Sequence, residues 1–460
     1  MSLTGSLLTA LSALDVNQGA LAVTSNNIAN VNTPGYSRQV VNLEESPTET
    51  LGNQQYGTGV SIASIQGVRD NLLQLRLNEQ AQTQGQLNTF VSGMTQLQPV
   101  FNDTSGSGLQ SLISQFFDSF QALAANPTDN GLRQSTISSA QNLAAGFNAA
   151  AQAITDQQQA ADQGVTQTVG QINTLTSQIA TLNGQISSAP PSTGPGSTLL
   201  DQRSQLVNQL SQLVDVQSVT ADQNSLALTT ASGTLLVSGT KSFNLSTATN
   251  PATGFQDVFD AQGNNITSKI QSGNLAGFLQ LRDTELPSVA TSLNTLASGV
   301  ATATNTQSTA GFDLNGAPGT NFFAPPAATN AAANLTVAIN DPAKVAASSD
   351  GTPGSNGNAT ALANLQNQAI VGGQTPIAYY GSLVFQVGNA VSNATSTLSG
   401  QQLITQQLQD QQSAISGVSL NDEGANIVLY QNAYEAAARV ASVIATLYQT
   451  ALSIGSTPTT

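Results

Sequence analysis

Asp422 and Glu423 are the adjacent carboxylates most open to a catalytic or metal-binding reading. Neighbouring residues on a helix diverge by about 100°, so the two acids do not converge on one substrate. At the start of an apolar-patterned helix they serve instead as first-turn acids that complement the helix dipole. The run Gly311-Phe312-Asp313-Leu314-Asn315-Gly316 places oxygen-bearing side chains at alternate positions, as a calcium loop does, but the later bidentate Glu is missing at the expected spacing. A turn is the expected reading. Gly57-Thr58-Gly59 and Gly194-Pro195-Gly196 are not followed by Lys-Ser or Lys-Thr, so neither cradles a phosphate. Asp201 and Arg203 stand two apart, point in different directions and are expected to find separate partners. With no His and no Cys, the chain lacks the commonest general base and metal ligand, all thiolate chemistry and all disulfides. These features predict a non-enzyme with no catalytic residue, metal, cofactor or small-molecule substrate.

Charged residues make up only 8% of the chain, against about a quarter in typical proteins, and Ser, Thr, Asn and Gln fill the polar positions. Such a neutral, hydrogen-bonding surface lowers self-repulsion and suits close packing of identical subunits, and a secreted or low-charge soluble protein shows it too. The net charge of −15 with only 10 Lys+Arg leaves no basic stripe for phosphate contacts, which argues against nucleic acid as a partner. No apolar run approaches the roughly 18 residues of a membrane span, and Met1 to Gly5 lacks the basic, apolar and cleavage regions of a secretory signal. Taken alone, these features predict a cytoplasmic protein without membrane contact. At 460 residues the chain is long enough for two or three cores.

The elements that dominate the pattern lie at the two ends. Leu7, Leu14, Leu21 and Ile28 recur every seven residues, with Leu3, Ala10 and Val31 offset by three or four, which forms a narrow helical stripe. Asn26, Asn27, Asn30 and Asn32 follow, offering side-chain bonds to neighbouring backbone where a helix must turn. Thr33-Pro34-Gly35-Tyr36 then ends the helix. At the other end Ile427, Tyr430, Tyr434, Ala437, Ala441, Ile444, Tyr448 and Ala451 step by three and four, flanked by Val440, Leu447 and Ile454. That rod is about 50 Å long at about 1.5 Å per residue. The two stripes read as a matched pair, either two helices of one bundle or a pairing completed only between subunits.

Between them the chain reads as mainly α with an inserted β module. The fold class expected is an elongated, multi-helix, coiled-coil-like rod in which the N- and C-terminal helices pair, plus a small β-rich domain. Residues 1–68 form the first helix and a hairpin-like excursion, and 69–215 the first part of the helical rod. Residues 216–271 are the β module, 272–310 a helical return interrupted at Pro287, and 311–357 a loop-rich stretch with one strand at Leu335 to Ile339. Residues 358–417 complete the rod, and 418–460 carry the last helix. Within the rod, Ile154, Gln158, Ala161, Val165, Thr168, Ile172, Leu175, Ile179, Leu182 and Ile186 keep one seam with polar members. A linker follows at Ala189 to Gly196, and Thr375-Pro376 caps a later helix.

Ser25-Asn26-Asn27-Ile28-Ala29-Asn30 with Thr33-Pro34-Gly35-Tyr36-Ser37-Arg38-Gln39 resembles the amino-terminal signature of the bacterial flagellar axial proteins, which comprise rod, hook and hook-associated subunits. Ser416 to Glu423 with Tyr430-Gln431-Asn432-Ala433-Tyr434 is similar to their carboxy-terminal signature. Tyr36-Ser37-Arg38-Gln39, Leu199 to Val207 and Gly311 to Gly316 place the resemblance nearest the hook-associated members of the hook–filament junction. It is weakest at 247–264 and 317–357, and the segment Thr309 to Gly357 leaves no room for the large outer domain of longer relatives. The resemblance implies a structural subunit, exported uncleaved through the flagellar apparatus to the extracellular hook–filament junction. Implied partners are further copies of itself in a ring or helical layer, the hook protein, a second hook-associated junction protein and an export chaperone. It also implies an assembly interface on Leu7, Leu14, Leu21, Ile28, Asn26, Asn27, Asn30, Pro34, Gly35, Tyr36, Ile427, Tyr430, Tyr434, Val440, Ile444 and Leu447. The alternatives are a hook or rod subunit, or a secreted coiled-coil effector that binds as a monomer.

Overall fold

The structure, a computed structural model, describes all residues except 1–2, 52–53, 104–105, 107, 190–195, 221–225 and 456–460. Most of the Ala189 to Gly196 linker therefore lies outside the described residues. Helix α1 (Leu3–Ala29) leads into an antiparallel pair, β1 (Gln39–Glu45) and β4 (Val60–Gly67), extended by a small hairpin of β2 (Glu49–Leu51) and β3 (Gln54–Tyr56). Helix α2 (Asn71–Leu97) begins at Asp70, whose carboxylate accepts the N–H groups of Leu72 and Leu73. Helix α3 (Leu109–Ala125) ends at Asn126-Pro127, and α4 (Asn130–Ser187) starts from an Asp129 cap.

Helix α4 is the spine of two cores. Its first half, Ile137 to Ala161, joins α2, α3, α7 (Leu286–Thr309), the loops around Phe322 and Phe323, α8 (Gly357–Asn364) and α9 (Pro376–Ser416). Its second half, Val165 to Ala180, packs with α5 (Ser197–Leu213), α6 (Gly273–Gln280) and the β module. In that module β5 (Gln217–Thr220), β6 (Leu226–Thr229), β7 (Leu235–Ser238) and β8 (Lys241–Ser242) form an antiparallel sheet in sequence order. Beside it pair β9 (Ser246–Thr249) and β10 (Gln256–Phe259). The expected α4 seam is thus divided between the two cores, Ile154 and Ala161 in the first and Val165, Ile172 and Ile179 against α5, α6 and strands, rather than along one coiled-coil partner. Its polar member Thr168 is satisfied within α4, donating to Gly164 O at 2.7 Å.

Two expectations need correction. The helical return is interrupted not at Pro287 but by a π-helical segment, Leu281–Glu285, just before it, and Pro287 is the second residue of α7. Within that segment the buried Arg282 bonds Asp162, Asp283 and Gln256 O, which ties the β module to α4. The second correction concerns Leu335 to Ile339, which forms no strand. Val337 makes a single bridge to Phe323, closed by the Ala324 N–H to Thr336 O and the Ala338 N–H to Phe322 O.

Gly311 to Gly316 is a turn, as expected. The Asp313 carboxylate accepts the N–H groups of Asn315 and Ala317, and Lys344 Nζ lies 3.0 Å away. Burial pushes the Asp313 carboxyl up, but the hydrogen bonds from Lys344 and from these amides, with the lysine charge, hold it below the usual carboxylate range. A depressed carboxylate stabilises the fold above its unfolded value of about 3.9, and that contribution disappears as pH falls through the folded value. We expect Asp313→Asn to lower the melting temperature at pH 7, with the gap from wild type narrowing as pH falls below about 3.9, as read by thermal denaturation across pH.

Candidate assembly interface

Helix α10 (Leu420–Gly455) lies along α1, so the chain's two ends meet in one antiparallel-edged unit with the β1–β4 pair. The hairpin crosses α1 closely: a Cβ on Gly19 would stand 2.5 Å from Ile62 Cδ1, so a larger residue there would require the Ile62 side chain to shift. The buried face of α1 is Ala10, Val16, Ala20, Val23, Thr24 and Asn27. This corrects the seven-residue stripe. Leu7, Leu14, Leu21 and Ile28 are half-buried rather than buried, because α1 is covered from two sides, by α10 and by the hairpin, and not along one seam. The pairing of the termini is already made within one chain.

Helix α10 shows what that pairing leaves open. Ile444 is buried, and Ile427 and Tyr430 are half-buried. Tyr434 is exposed, while Val440 at 52% and Leu447 at 51% face solvent beside Leu429 at 60% and Val443 at 60%. At 3.6 residues per turn these last four share one flank of the helix. Val428, Tyr448 and Leu452 add to the apolar exposure of α10, as do Leu3, Leu8 and Leu11 on α1. Scattered apolar side chains on a surface need no explanation, but a contiguous flank of them marks an interaction site. Asp422 and Glu423 occupy the first turn of α10, as expected for dipole-complementing acids. Among the described residues no group of acids could hold a metal, and no helix is long and apolar enough to cross a membrane.

The asparagines divide by role. Asn27 is 1% exposed: its Nδ2 donates to Gln39 O at 2.9 Å, and its Oδ1 accepts both the Gln39 N–H at 2.9 Å and the Tyr36 hydroxyl at 2.8 Å. Asn27 therefore holds the chain's own turn and offers no amide to a neighbour, which corrects its place among the interface candidates. Asn26 is exposed, and Asn30 donates to Asn26 O and accepts from the Thr33 hydroxyl. Pro34 and Gly35 are exposed at the tip, where Gly35 takes φ +76°, a conformation open to glycine. Tyr36 is half-buried, and burial, with the negative charges of Asp201 and Glu423, pushes its hydroxyl up to about 12. It stays a neutral donor to Asn27 at any physiological pH.

Asn27→Ala would strand the Gln39 N–H and C=O and the Tyr36 hydroxyl at a cost of about 1–3 kcal/mol. Amide exchange at residues 36–40 should accelerate while the melting of the two cores stays unchanged. Equal protection in the variant would show that the turn does not depend on this side chain.

Sequence reading missed where Asp201 and Arg203 go. As expected they do not pair: Arg203 Nη1 donates to Asn183 Oδ1 at 2.9 Å, whereas Asp201 meets Arg69 at 2.8 Å and the Ser37 hydroxyl at 2.7 Å. Separations of 132 and 164 residues carry no local signal.

Comparison with known proteins follows this geometry. A family model described as flagellar hook-associated protein FlgK helical domain matches residues 94–323, and one described as flagella basal body rod protein matches residues 7–36. Flagellar hook-associated protein 1 of Bacillus subtilis (strain 168) is 30% identical, over 95% of this chain and 95% of its own. Flagellar hook-associated protein 1 of Escherichia coli (strain K12) is 29% identical, over 97% of this chain and 98% of its own. The solved flagellar hook junction protein FlgK from Burkholderia pseudomallei has the same fold, with a TM-score of 0.66 at 20% identity, covering 74% of this chain and 100% of that one.

Proposed function

Because the chain belongs to the flagellar hook-associated protein 1 family, and so is a structural subunit of the extracellular flagellum, we propose that it joins hook to filament through its paired terminal helices. The observation that carries this reading is the open flank of α10, Leu429, Val440, Val443 and Leu447, which the pairing with α1 leaves exposed. Burying a half-exposed aliphatic side chain contributes about 1 kcal/mol, and in a ring or helical layer every subunit repeats the gain. The partners are further copies of the chain, the hook protein below and a second hook-associated junction protein above. An export chaperone would shield the same flank before secretion. The scarcity of charge fits close neighbours, since few like charges need to be kept apart.

A hook or rod subunit is the alternative within the same group. The rod-protein match is confined to residues 7–36, whereas the hook-associated match spans 94–323. Immunolabelling of isolated hook–basal bodies should place label at the distal end of the hook. Label along the hook or in the rod would move the chain to the alternative, and absence of label would support a secreted monomeric effector.

A further inference from the structure

The terminal unit and the helical body are joined covalently only at residues 68–70 and 417–419, yet the polar bonds between them converge on one line of α5. Ser197, Asp201 and Gln205 are spaced by four, which stacks them along a single helix face. Gln205 Nε2 donates to Pro34 O at the tip of the turn after α1. Asp201 accepts the Ser37 hydroxyl at 2.7 Å and the Ser37 N–H at 3.2 Å, one on each carboxylate oxygen. Arg69, in the connection between β4 and α2, donates to Asp201 Oδ1 through Nε at 3.1 Å and Nη2 at 2.8 Å, and to Ser197 O at 2.7 Å. The Asp201 side chain is 9% exposed and Arg69 21%. A shielded ion pair of this kind loses more when one partner is removed than an exposed one does, because the other charge is left unpaired. Arg38 N–H also reaches Ser416 O at the end of α9, so both crossings of the chain pass beside this node.

We propose that Asp201 is a positioning residue for assembly: with Ser37 and Arg69 it latches the α1–α10 pair at one fixed direction relative to the helical body. Rigid presentation matters because a subunit entering a lattice must place its open flank and its body against neighbours at once. A pair that swings freely loses conformational entropy when each copy docks. The assembly consequence rests on the reading above, but the latch itself is a property of the free chain and is tested there.

The chain has no Cys, so Glu79→Cys on α2 and Ser442→Cys on α10, both exposed in the parent chain, give two unique positions for spin labels. Pulsed electron–electron distances in the otherwise wild-type chain should form one narrow population. Asp201→Ala should at least double the width while the melting of the body stays within error. Ser37→Ala, which removes one hydroxyl and no charge, should broaden the distribution by a smaller amount, and this variant decides the matter if Asp201→Ala fails to fold. Asn208→Ala, on the same helix but bonded to Asn78 within the body, is the control and should leave the width unchanged. The proposal is overturned if the distribution is already broad before Asp201 is changed, if neither Asp201→Ala nor Ser37→Ala widens it, or if Asn208→Ala widens it equally. Normal hook–filament junctions in cells carrying a broadened Asp201→Ala chain would leave the latch standing and overturn its role in assembly.

Discussion

Val440→Asp combined with Leu447→Asp should abolish filament attachment while the purified chain melts as wild type does. Both side chains are about half exposed in the isolated subunit, so a carboxylate at either place stays hydrated and alters little within one chain. Once a neighbour covers the flank, each carboxylate must be desolvated without a partner or be protonated, and roughly 2 kcal/mol apiece, the protein mutational value for a neutral polar group, is the lower bound. Two together come to at least about 4 kcal/mol, or roughly a thousand-fold in the addition of each subunit. Cells should form hooks without filaments and release flagellin into the medium. Ile444→Asp is the instructive contrast. Ile444 is buried inside the terminal pair, so its carboxylate should also loosen α1 from α10 in the free chain, seen as faster amide exchange along both helices.

Phe116→Ala should have the opposite profile. Phe116 is fully buried, with the rings of Phe117, Phe120, Phe322 and Phe323 centred 5.1, 5.3, 5.8 and 5.4 Å away. Truncation removes the ring and leaves a cavity that a cluster of rigid aromatics fills poorly, at a cost of about 3–5 kcal/mol. The melting temperature of the body should fall by roughly 10 °C, read by circular dichroism or calorimetry. At a growth temperature where the variant remains folded, filaments should still form, because the open flank of α10 is untouched. The two variants together separate the assembly layer from the core that carries it.

What the sequence disclosed follows from the range over which each signal acts. Helix punctuation is local, and the ends of α3 at Asn126-Pro127 and the start of α9 at Thr375-Pro376 lie where the residues place them. The α4 seam was legible because period and length coincide over many turns, but its partners were not, since nothing in a stripe names what covers it. The same limit explains α1. Periodicity showed Leu7, Leu14, Leu21 and Ile28, whereas burial follows Val16, Ala20, Val23 and Asn27, because the hairpin folds back onto α1 and small residues admit it.

Buried polar side chains were the least legible. Arg133 is 1% exposed and bonds the carbonyl oxygens of Pro127, Pro342 and Val345, joining segments more than 200 residues apart. An arginine in a polar helix reads as solvated until the fold brings carbonyls to it. Asn27 and Asp201 were visible in motifs that carried the resemblance, but their partners at Gln39, Ser37 and Arg69 emerged only from the fold.

At the junction the open flank of α10 should touch neighbouring subunits. Because the native chain has no thiol, a benzophenone attached at Val440→Cys reports contacts from that position alone. Photolysis of isolated hook–filament junctions should join the chain to a neighbouring axial subunit, while the same probe at Gln121→Cys, exposed on α3 in the body, should give far less product. Efficient cross-linking from position 121 with none from position 440 would contradict the account.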